Sequence, residues 1–315
     1  MKRALIFASY LLLSLFGIGV VFSAMLLTAN SAYADTAGSG TPINETRSAK
    51  ANGTVAISNV AGSVTVQGWH RNEIHVGGTL SPDAERLDIT PYGDGYDIRV
   101  ILPEHSHSSN AGTELVIKVP DASRLSVNTV SAGIDARGLD GTAQLESVSG
   151  NVTLKSTDSD ITAKSVSGEV NIGGSAGGAH VDAHSISGDV KVQGVVGYLQ
   201  AESVSGNVKV ITGALRRTQL SSTSGNVDFN GGVQKNGSYT FHSISGNLTL
   251  SFWGTPDARF DISSFSGDID NNFGPKPQRT SEYGPGVELH FVSGHGDAQV
   301  NARTLSGNIT LHTPS

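Results

Sequence analysis

The sequence predicts an all-β protein built as a β-solenoid, and three observations carry this prediction. A Ser-x-Ser-Gly-(Asn/Asp/Glu)-apolar unit recurs with a period near 19 residues. Each period contains two short runs in which apolar and polar residues alternate, which is the pattern of half-buried strands. Such units do not bury an apolar face singly, so they must stack on copies of themselves. The repeated glycines are Gly150, Gly168, Gly188, Gly206, Gly225, Gly246, Gly267 and Gly307.

The first 34 residues have the features of a signal peptide. Lys2 and Arg3 precede an almost wholly apolar run over residues 4–27, and Ala32 and Ala34 stand at the two positions that a signal peptidase reads. We expect export and cleavage after Ala34, so that the mature chain has no membrane span. The alternative is an uncleaved anchor, because about 20 apolar residues are enough to cross a bilayer.

The rest of the chain divides into three parts. Residues 35–53 are small and polar and are expected to form a flexible leader. Residues 54–125 contain irregular strands, with an outlying copy of the repeat near Gly62, and are expected to form an N-terminal β cap. Residues 126–315 form the solenoid proper, interrupted by an inserted loop over residues 271–286. We expect about nine coils, and therefore a rod about 45 Å long.

The columns of the repeat predict how successive coils meet. A weaker copy of the unit places its glycine at Gly133, and the interval of 40 residues between Gly267 and Gly307 is expected to hold two further coils. The glycine fits a corner that needs positive φ or a close backbone approach. The Asn or Asp beside it is expected to bond to local backbone.

Two columns are expected to run along the rod: an apolar ladder of Val148, Val166, Ile186, Val204, Ile244, Phe265 and Leu305, interrupted by Thr223, and a charge ladder of Glu146, Lys164, His184 and Glu202.

The composition excludes several classes of protein. With no cysteine among 315 residues, the chain has no disulfide, thiolate metal site or cysteine nucleophile. Its 28 acidic and 21 basic residues provide no basic stripe, so no nucleic-acid partner is expected.

No metal, cofactor or catalytic site is expected from the motifs. His184 and His242 are three coils apart, about 14 Å by the strand spacing, which is too far to share an ion. His105 and His107 in a polar loop make a weak pair at best. No repeat column is expected to carry two adjacent acids, and the repeated serines have no marked base beside any one of them.

Five residues are candidates for a binding surface: Trp69, Trp253, Pro275, Arg279 and Tyr283. The last three lie in the inserted loop, and insertions in solenoids map to one face that often binds. The tryptophans offer rings for a ligand; alternatively they plug an end or a corner of the core.

The order of these motifs resembles the bacterial DUF4097 family, which carries an adhesin label. The resemblance rests on Leu115-Val116-Ile117-Lys118-Val119-Pro120, the serial Ser-x-Ser-Gly coils, and Gly294-His295-Gly296 followed by Thr304-Leu305-Ser306-Gly307. It implies an extracytoplasmic β-strand repeat protein and brings no catalytic residues.

The function expected from the sequence is that of an exported, non-enzymatic interaction module of the cell envelope. Its partner is a protein or polysaccharide, and it resides in the periplasm, on the cell surface or outside the cell. The alternatives are a polysaccharide-active β-helical enzyme, either a lyase or a hydrolase, and a passive structural spacer.

Overall fold

The computed structural model describes residues 40–103, 112–156, 159–174, 177–213, 215–282 and 284–313. The signal segment with Ala32 and Ala34, the pair His105 and His107, and Tyr283 lie outside the described residues. Across the described residues the chain contains no helix of the length and apolarity that a membrane span requires.

The described residues form two long sheets. The first sheet contains strands β1 (Thr41–Ser48), β3 (Gly62–Trp69), β4 (Glu73–Leu80), β7 (Thr113–Pro120), β9 (Gly133–Leu139), β11 (Val152–Ser156), β13 (Val170–Gly173), β15 (Val190–Gln193), β17 (Val208–Ile211), β19 (Val227–Gly231), β21 (Leu248–Phe252), β23 (Ile269–Asn271) and β27 (Ile309–His312). The second sheet contains β2 (Thr54–Asn59), β5 (Arg86–Tyr92), β6 (Gly95–Ile101), β8 (Arg124–Thr129), β10 (Ala143–Ser147), β12 (Ile161–Ser165), β14 (Gly177–Ser185), β16 (Val196–Ser203), β18 (Leu215–Ser222), β20 (Val233–Ser243), β22 (Ala258–Ser264), β24 (Gln278–Arg279), β25 (Val287–Ser293) and β26 (Ala298–Thr304).

The two sheets form a β-solenoid, as the sequence predicts. Each coil places one strand in each sheet, and equivalent strands pair in parallel from β8 to β20 and from β9 to β21. Alternate side chains point between the sheets: in β10, Ala143, Leu145 and Ser147 are buried while Gln144 and Glu146 face outward. Nine coils carry the repeat between β8 and β27, which matches the expected number.

The coils at the two ends are not stacked in chain order. The outlying copy of the repeat, β2 and β3, lies between the coil of β6 and β7 and the coil of β8 and β9. At the other end the last coil, β26 and β27, lies between the coil of β20 and β21 and the coil of β22 and β23. The coil that is last in sequence is therefore inserted between two coils that precede it in the chain.

Two sequence-based expectations about these ends are wrong. The leader expected over residues 35–53 is a strand from Thr41 to Ser48, which pairs antiparallel with β4 at the edge of the first sheet. The 40 residues after Gly267 hold one coil rather than two. The remainder forms β25, which pairs antiparallel with β22, and the short edge strand β24, which pairs antiparallel with β25 and closes the stack.

The first serine of each unit is buried and ties one coil to the next. The backbone N–H of Gly168 donates to Ser165 Oγ at 2.9 Å, and that hydroxyl donates to the carbonyl oxygen of Gly150 in the preceding coil at 3.1 Å. Ser185, Ser203 and Ser222 make the same pair of bonds in their coils. A buried hydroxyl whose hydrogen bonds are made costs little, so serine is well suited to this position.

The glycine of each unit is required by a close approach rather than by positive φ. A Cβ atom on Gly168 would lie 2.1 Å from the carbonyl oxygen of Gly150, and the same overlap recurs at Gly188, Gly206 and Gly225. None of these glycines has a positive φ. In the first regular coil Ala132, and not Gly133, occupies this position, because Ser147 donates to the Ala132 carbonyl oxygen.

The Asn and Asp side chains beside these glycines bond to the next coil, not to local backbone. Asn207 Oδ1 accepts the N–H of Asn226 at 3.0 Å, and Asn226 Oδ1 accepts the N–H of Asn247 at 3.0 Å. The same bonds continue through Asn308 to Asp268. The column therefore acts as a ladder that caps one backbone N–H per coil.

Aromatic rings fill the core at the C-terminal end. The rings of Phe252, Phe260, Phe273 and Phe291 lie with centroids 4.6 to 6.2 Å apart, within the range of favourable aromatic pairs. Phe273 belongs to the inserted loop. That loop therefore serves partly as the cap of the solenoid.

Candidate interaction surface

The outer surface of the second sheet carries columns of polar side chains that run along the rod. The strand pairing places them in register from β8 to β20. We call this surface the polar face. Its middle column contains Ser126, Gln144, Thr162, Asp182, Gln200, Gln219 and Thr240, and the column beside it contains Asn128, Glu146, Lys164, His184, Glu202, Ser221 and His242.

The predicted charge ladder is present, and Glu202 forms the centre of a network within it. Gln200 Nε2 and Gln219 Nε2 donate to Glu202 Oε1 at 3.1 and 3.3 Å, and His184 Nδ1 lies 3.6 Å from Glu202 Oε2. The interaction with His184 lowers the pKa of the Glu202 carboxyl, and the two amides add to this against the opposing effect of its burial. These hydrogen bonds hold the side chains of the face in fixed positions.

Two rings of the polar face stack on each other across neighbouring coils. The rings of His180 and Tyr198 have centroids 4.4 Å apart and are nearly parallel. The backbone N–H of His180 donates to Asp160 Oδ1 at 2.8 Å. One face of each ring is therefore covered by the other ring, so the pair is not an open, flat ring platform.

A shallow depression occupies the N-terminal part of the polar face. Arg124, Gln144, Asp160 and Thr162 are among the residues that line it. Arg124 also forms an ion pair with Asp94, and its hydrogen bond lowers the pKa of that carboxyl. The face is therefore polar over its whole length and nearly balanced in charge.

One expectation about the columns is wrong. Glu169 and Asp189 follow the glycines of neighbouring coils, so one repeat column does carry two adjacent acids. Both acids have structural partners: Lys191 Nζ lies 2.6 Å from Glu169 Oε1, and Asp189 Oδ1 accepts the N–H of Asn207 at 2.8 Å. The interaction with Glu169 raises the pKa of Lys191. No group of three or more His, Cys, Asp or Glu side chains suited to a metal ion occurs among the described residues.

Trp69 lies far from the other candidate residues. It ends β3, its Nε1 donates to the carbonyl oxygen of Glu73 at 2.9 Å, and Arg71 and Lys118 lie over its ring. Seven strand spacings, about 34 Å, separate β3 from the strand before Trp253. The half-buried Trp69 ring is thus engaged in packing with its own neighbours.

Trp253 is the more accessible of the two tryptophans. Its side chain is 49% exposed at the corner after β21, while the preceding Phe252 is fully buried in the core. Its Nε1 donates to Asn230 Oδ1, which fixes the ring against the neighbouring coil. Among the described candidate binding residues, Trp253 is the large aromatic side chain that is accessible to a partner.

The inserted loop combines buried and exposed positions. Asn271 Nδ2 donates to the carbonyl oxygen of Pro275 at 3.1 Å, and Arg279 lies in the short strand β24, which pairs with β25. Pro275 and Arg279 are exposed. Sequence reasoning missed the role of Phe273 in the core, since an isolated Phe in a Pro-rich loop gives no signal of burial.

The family profile described as Toastrack DUF4097 matches residues 42–312, the span that holds every coil. The chain belongs to the DUF4097 family. No curated protein matches the sequence. Among solved structures it is similar to a "putative cell adhesion protein" from Clostridium sporogenes, with 12% identity, a TM-score of 0.22, and coverage of 87% of this chain and 100% of that one.

Membership of DUF4097 agrees with the motifs that suggested it. The Leu115–Pro120 segment lies in β7, which pairs with β3 and β4 near the N-terminal end. The Gly294-His295-Gly296 segment forms the turn that leads into the last coil. The family motifs outside the repeat thus lie at the ends of the solenoid.

Proposed function

We propose that this DUF4097 protein is exported and acts as a non-enzymatic interaction module of the cell envelope, binding a hydroxyl-rich polysaccharide through the polar face. One observation supports it most: the middle column of the polar face repeats amide and hydroxyl side chains in register from β8 to β20. Such groups both donate and accept hydrogen bonds. A repeating polymer would meet an amide or hydroxyl group at every coil except that of Asp182.

The composition of the middle column favours a polysaccharide over a protein partner. Protein interfaces depend on a few buried aromatic, Arg or aliphatic anchors, whereas this column contains Gln, Thr and Ser with a single Asp. In the neighbouring column, His184 and Glu202 are held in a structural pair. This supports binding over acid–base chemistry.

Export is supported by the N-terminal sequence. Lys2, Arg3, the apolar run and the Ala32-Tyr33-Ala34 site have the order of a cleavable signal. N-terminal sequencing of the protein recovered from its own cells is expected to begin at Asp35. A sequence that begins at Met1 would contradict cleavage.

Retention on the cell's own envelope fraction tests the binding role. Residues 40–315, which contain every described strand, are incubated with envelope that is untreated, digested with protease, or oxidised with periodate to destroy sugars. We expect retention to survive protease and to fail after periodate. The opposite pattern would show a protein partner and overturn the polysaccharide assignment.

Matched variants locate the binding surface. The triple variant Q200A/Q219A/T240A removes three side chains of the middle column and is expected to reduce retention at least tenfold. The control T153A/T249A/T310A removes three outward threonines of the first sheet, which lie in one column in the same way. Equal loss in both variants would contradict the proposed face.

A further inference from the structure

One corner of the solenoid carries an apolar side chain in nine of ten successive coils. We call this row the corner ridge. Its side chains do not enter the core: Val148 is 46% exposed, Leu305 50% and Phe265 55%, while Val166 and Ile186 are half-buried. In spatial order it contains Val60, Val130, Val148, Val166, Ile186, Val204, Thr223, Ile244, Leu305 and Phe265.

The corner ridge is regular because its backbone is bonded from coil to coil. Ser149 N–H donates to the Val130 carbonyl oxygen at 2.7 Å, and Ser205 N–H donates to the Ile186 carbonyl oxygen at 2.9 Å. The same bonds place the last coil in sequence between its neighbours: Ser306 N–H reaches the carbonyl of Ile244, and Ser266 N–H reaches that of Leu305. Ten positions at the strand spacing make a ridge about 43 Å long.

A second column, also without charge, accompanies the apolar one. It consists of the second serine of each unit, and these serines are exposed. Neither column contains a charged residue, although the chain has a net charge of −7. The serines are Ser131, Ser149, Ser167, Ser187, Ser205, Ser224, Ser245, Ser306 and Ser266.

We infer that the corner ridge is covered by a second copy of this chain. A row of roughly 300 Å² falls within the size range of the largest apolar patch on a typical monomer, and such patches are often functional. A second copy has the same rung spacing, so apolar side chains of one rod meet apolar side chains of the other at every rung except the two where Val166 faces Thr223. Because neither column carries charge, two acidic molecules can meet along the corner ridge without bringing their carboxylates together.

Symmetry fixes the direction of the two rods. If a two-fold axis ran along the rods, the apolar column of one copy would face the serine column of the other. If the two-fold axis instead lies in the plane of the contact and perpendicular to the rods, the apolar columns of the two copies face each other, and so do the serine columns. The copies are therefore antiparallel, with Val130 opposite Leu305, Val148 opposite Ile244, and Ile186 opposite Val204.

The contact is small for an interface between two proteins. A strip about 43 Å long and about two residues wide covers roughly 300 Å² of each copy, below the ~800 Å² per partner of a standard interface. The dimer is therefore weak and depends on concentration. Because the contact is apolar and the copies are acidic, added salt strengthens it by screening their repulsion.

Cysteine cross-linking tests the arrangement in a chain that has no cysteine of its own. Residues 40–315 carrying V130C are mixed with the same residues carrying L305C and oxidised. Antiparallel copies give a disulfide dimer in the mixture and little in either protein alone. A dimer from V130C alone shows parallel copies and overturns the inference, as does the absence of any dimer.

A control and a titration complete the test. Val196 is 40% exposed outside the corner ridge, and V196C is expected to give no dimer above background. In sedimentation equilibrium, V130T/V148T/V204T keeps the shape of the corner, where Thr223 already occurs, and weakens association at least tenfold, whereas T223V strengthens it. A monomer at every concentration and salt, or equal association in all variants, would contradict the inference independently of polysaccharide binding.

Discussion

The carboxylate of Asp257 accepts the backbone N–H of Gly296 at 2.7 Å, and so holds the turn that carries the chain over the start of β22. The turn joins β25 on one side of β22 to β26 on the other. His295 Nδ1 lies 3.3 Å from the second carboxylate oxygen. At the N-terminal end the turn from β3 to β4 crosses the end of β7 in the same way, and there His70 contacts Asp121. Both ends of the solenoid are thus closed by a crossing turn bound to an aspartate.

Replacement of Asp257 by Ala is expected to loosen the last coil first. Although desolvation opposes it, the N–H groups of Asp297 and Gly296 lower the pKa of Asp257, so its charged form is the one that holds the turn. In hydrogen exchange, amides of β26 and β27 should lose protection while those of β16 and β17 keep it. D121A, which acts at the other end, is the matched control, and uniform loss of protection in D257A would contradict a local role.

Replacement of Gly168 by Ala is expected to be severely destabilising. The added methyl group would lie 2.1 Å from the Gly150 carbonyl oxygen, so the two coils must separate. We expect a loss of about 3 kcal/mol or more in the free energy of unfolding. Gly133 is the control, since its nearest neighbour would be 3.8 Å away, and G133A should stay within ~0.5 kcal/mol. Urea unfolding of both variants measures the difference, and equal stability would contradict the close-approach account.

Replacement of Phe273 by Ala tests whether the inserted loop caps the core, separately from any role of the exposed side chains of that loop. Its ring packs against Phe252, Phe260 and Phe291, and we expect a loss of about 2–3 kcal/mol. R279A, in the same loop but exposed, should leave the urea midpoint unchanged. The reverse order would show that the loop does not cap the core.

The pH dependence of stability should show the network around Glu202. Its pKa is lower in the folded than in the unfolded chain, so the unfolded chain binds more protons and the stabilisation is present above the unfolded value. It is lost as pH falls through the folded pKa. E202Q should therefore cost about 1 kcal/mol near pH 7 and less below pH ~4. Urea unfolding from pH 3 to 7 measures both, and a cost that does not change with pH would contradict this account.

Much of the fold can be predicted from the sequence because one unit is copied many times. The spacing of the glycines gives the coil, and the alternation in runs such as Val152–Ser156 gives the strands. What the spacing does not give is the order of coils at the ends. Pairing in parallel sheets is set by backbone hydrogen bonds that any apolar coil satisfies, so the position of the final coil between two earlier ones leaves no mark in the interval from Gly267 to Gly307.

The candidate surface is less visible in the sequence than the fold. The charge ladder of Glu146, Lys164, His184 and Glu202 follows from the repeat alone. Whether the apolar residue between the two serines is inside or outside depends on how the corner bends, and the structure places Val148 outside with Ser147 inside. Alternation along β10 agrees with this placement but fails at Ser149, which it would bury and which is exposed because the chain turns there.

The mass of the retained envelope polymer distinguishes a binding module from an enzyme. Residues 40–315 are held with the periodate-sensitive envelope polymer at saturating concentration, and the bound and free polymer are then analysed by mass spectrometry. The account predicts that the polymer is bound through the polar face and recovered with its mass unchanged. Shortened chains or unsaturated ends, lost when Glu169 and Asp189 are replaced by Gln and Asn, would show an enzyme and contradict it.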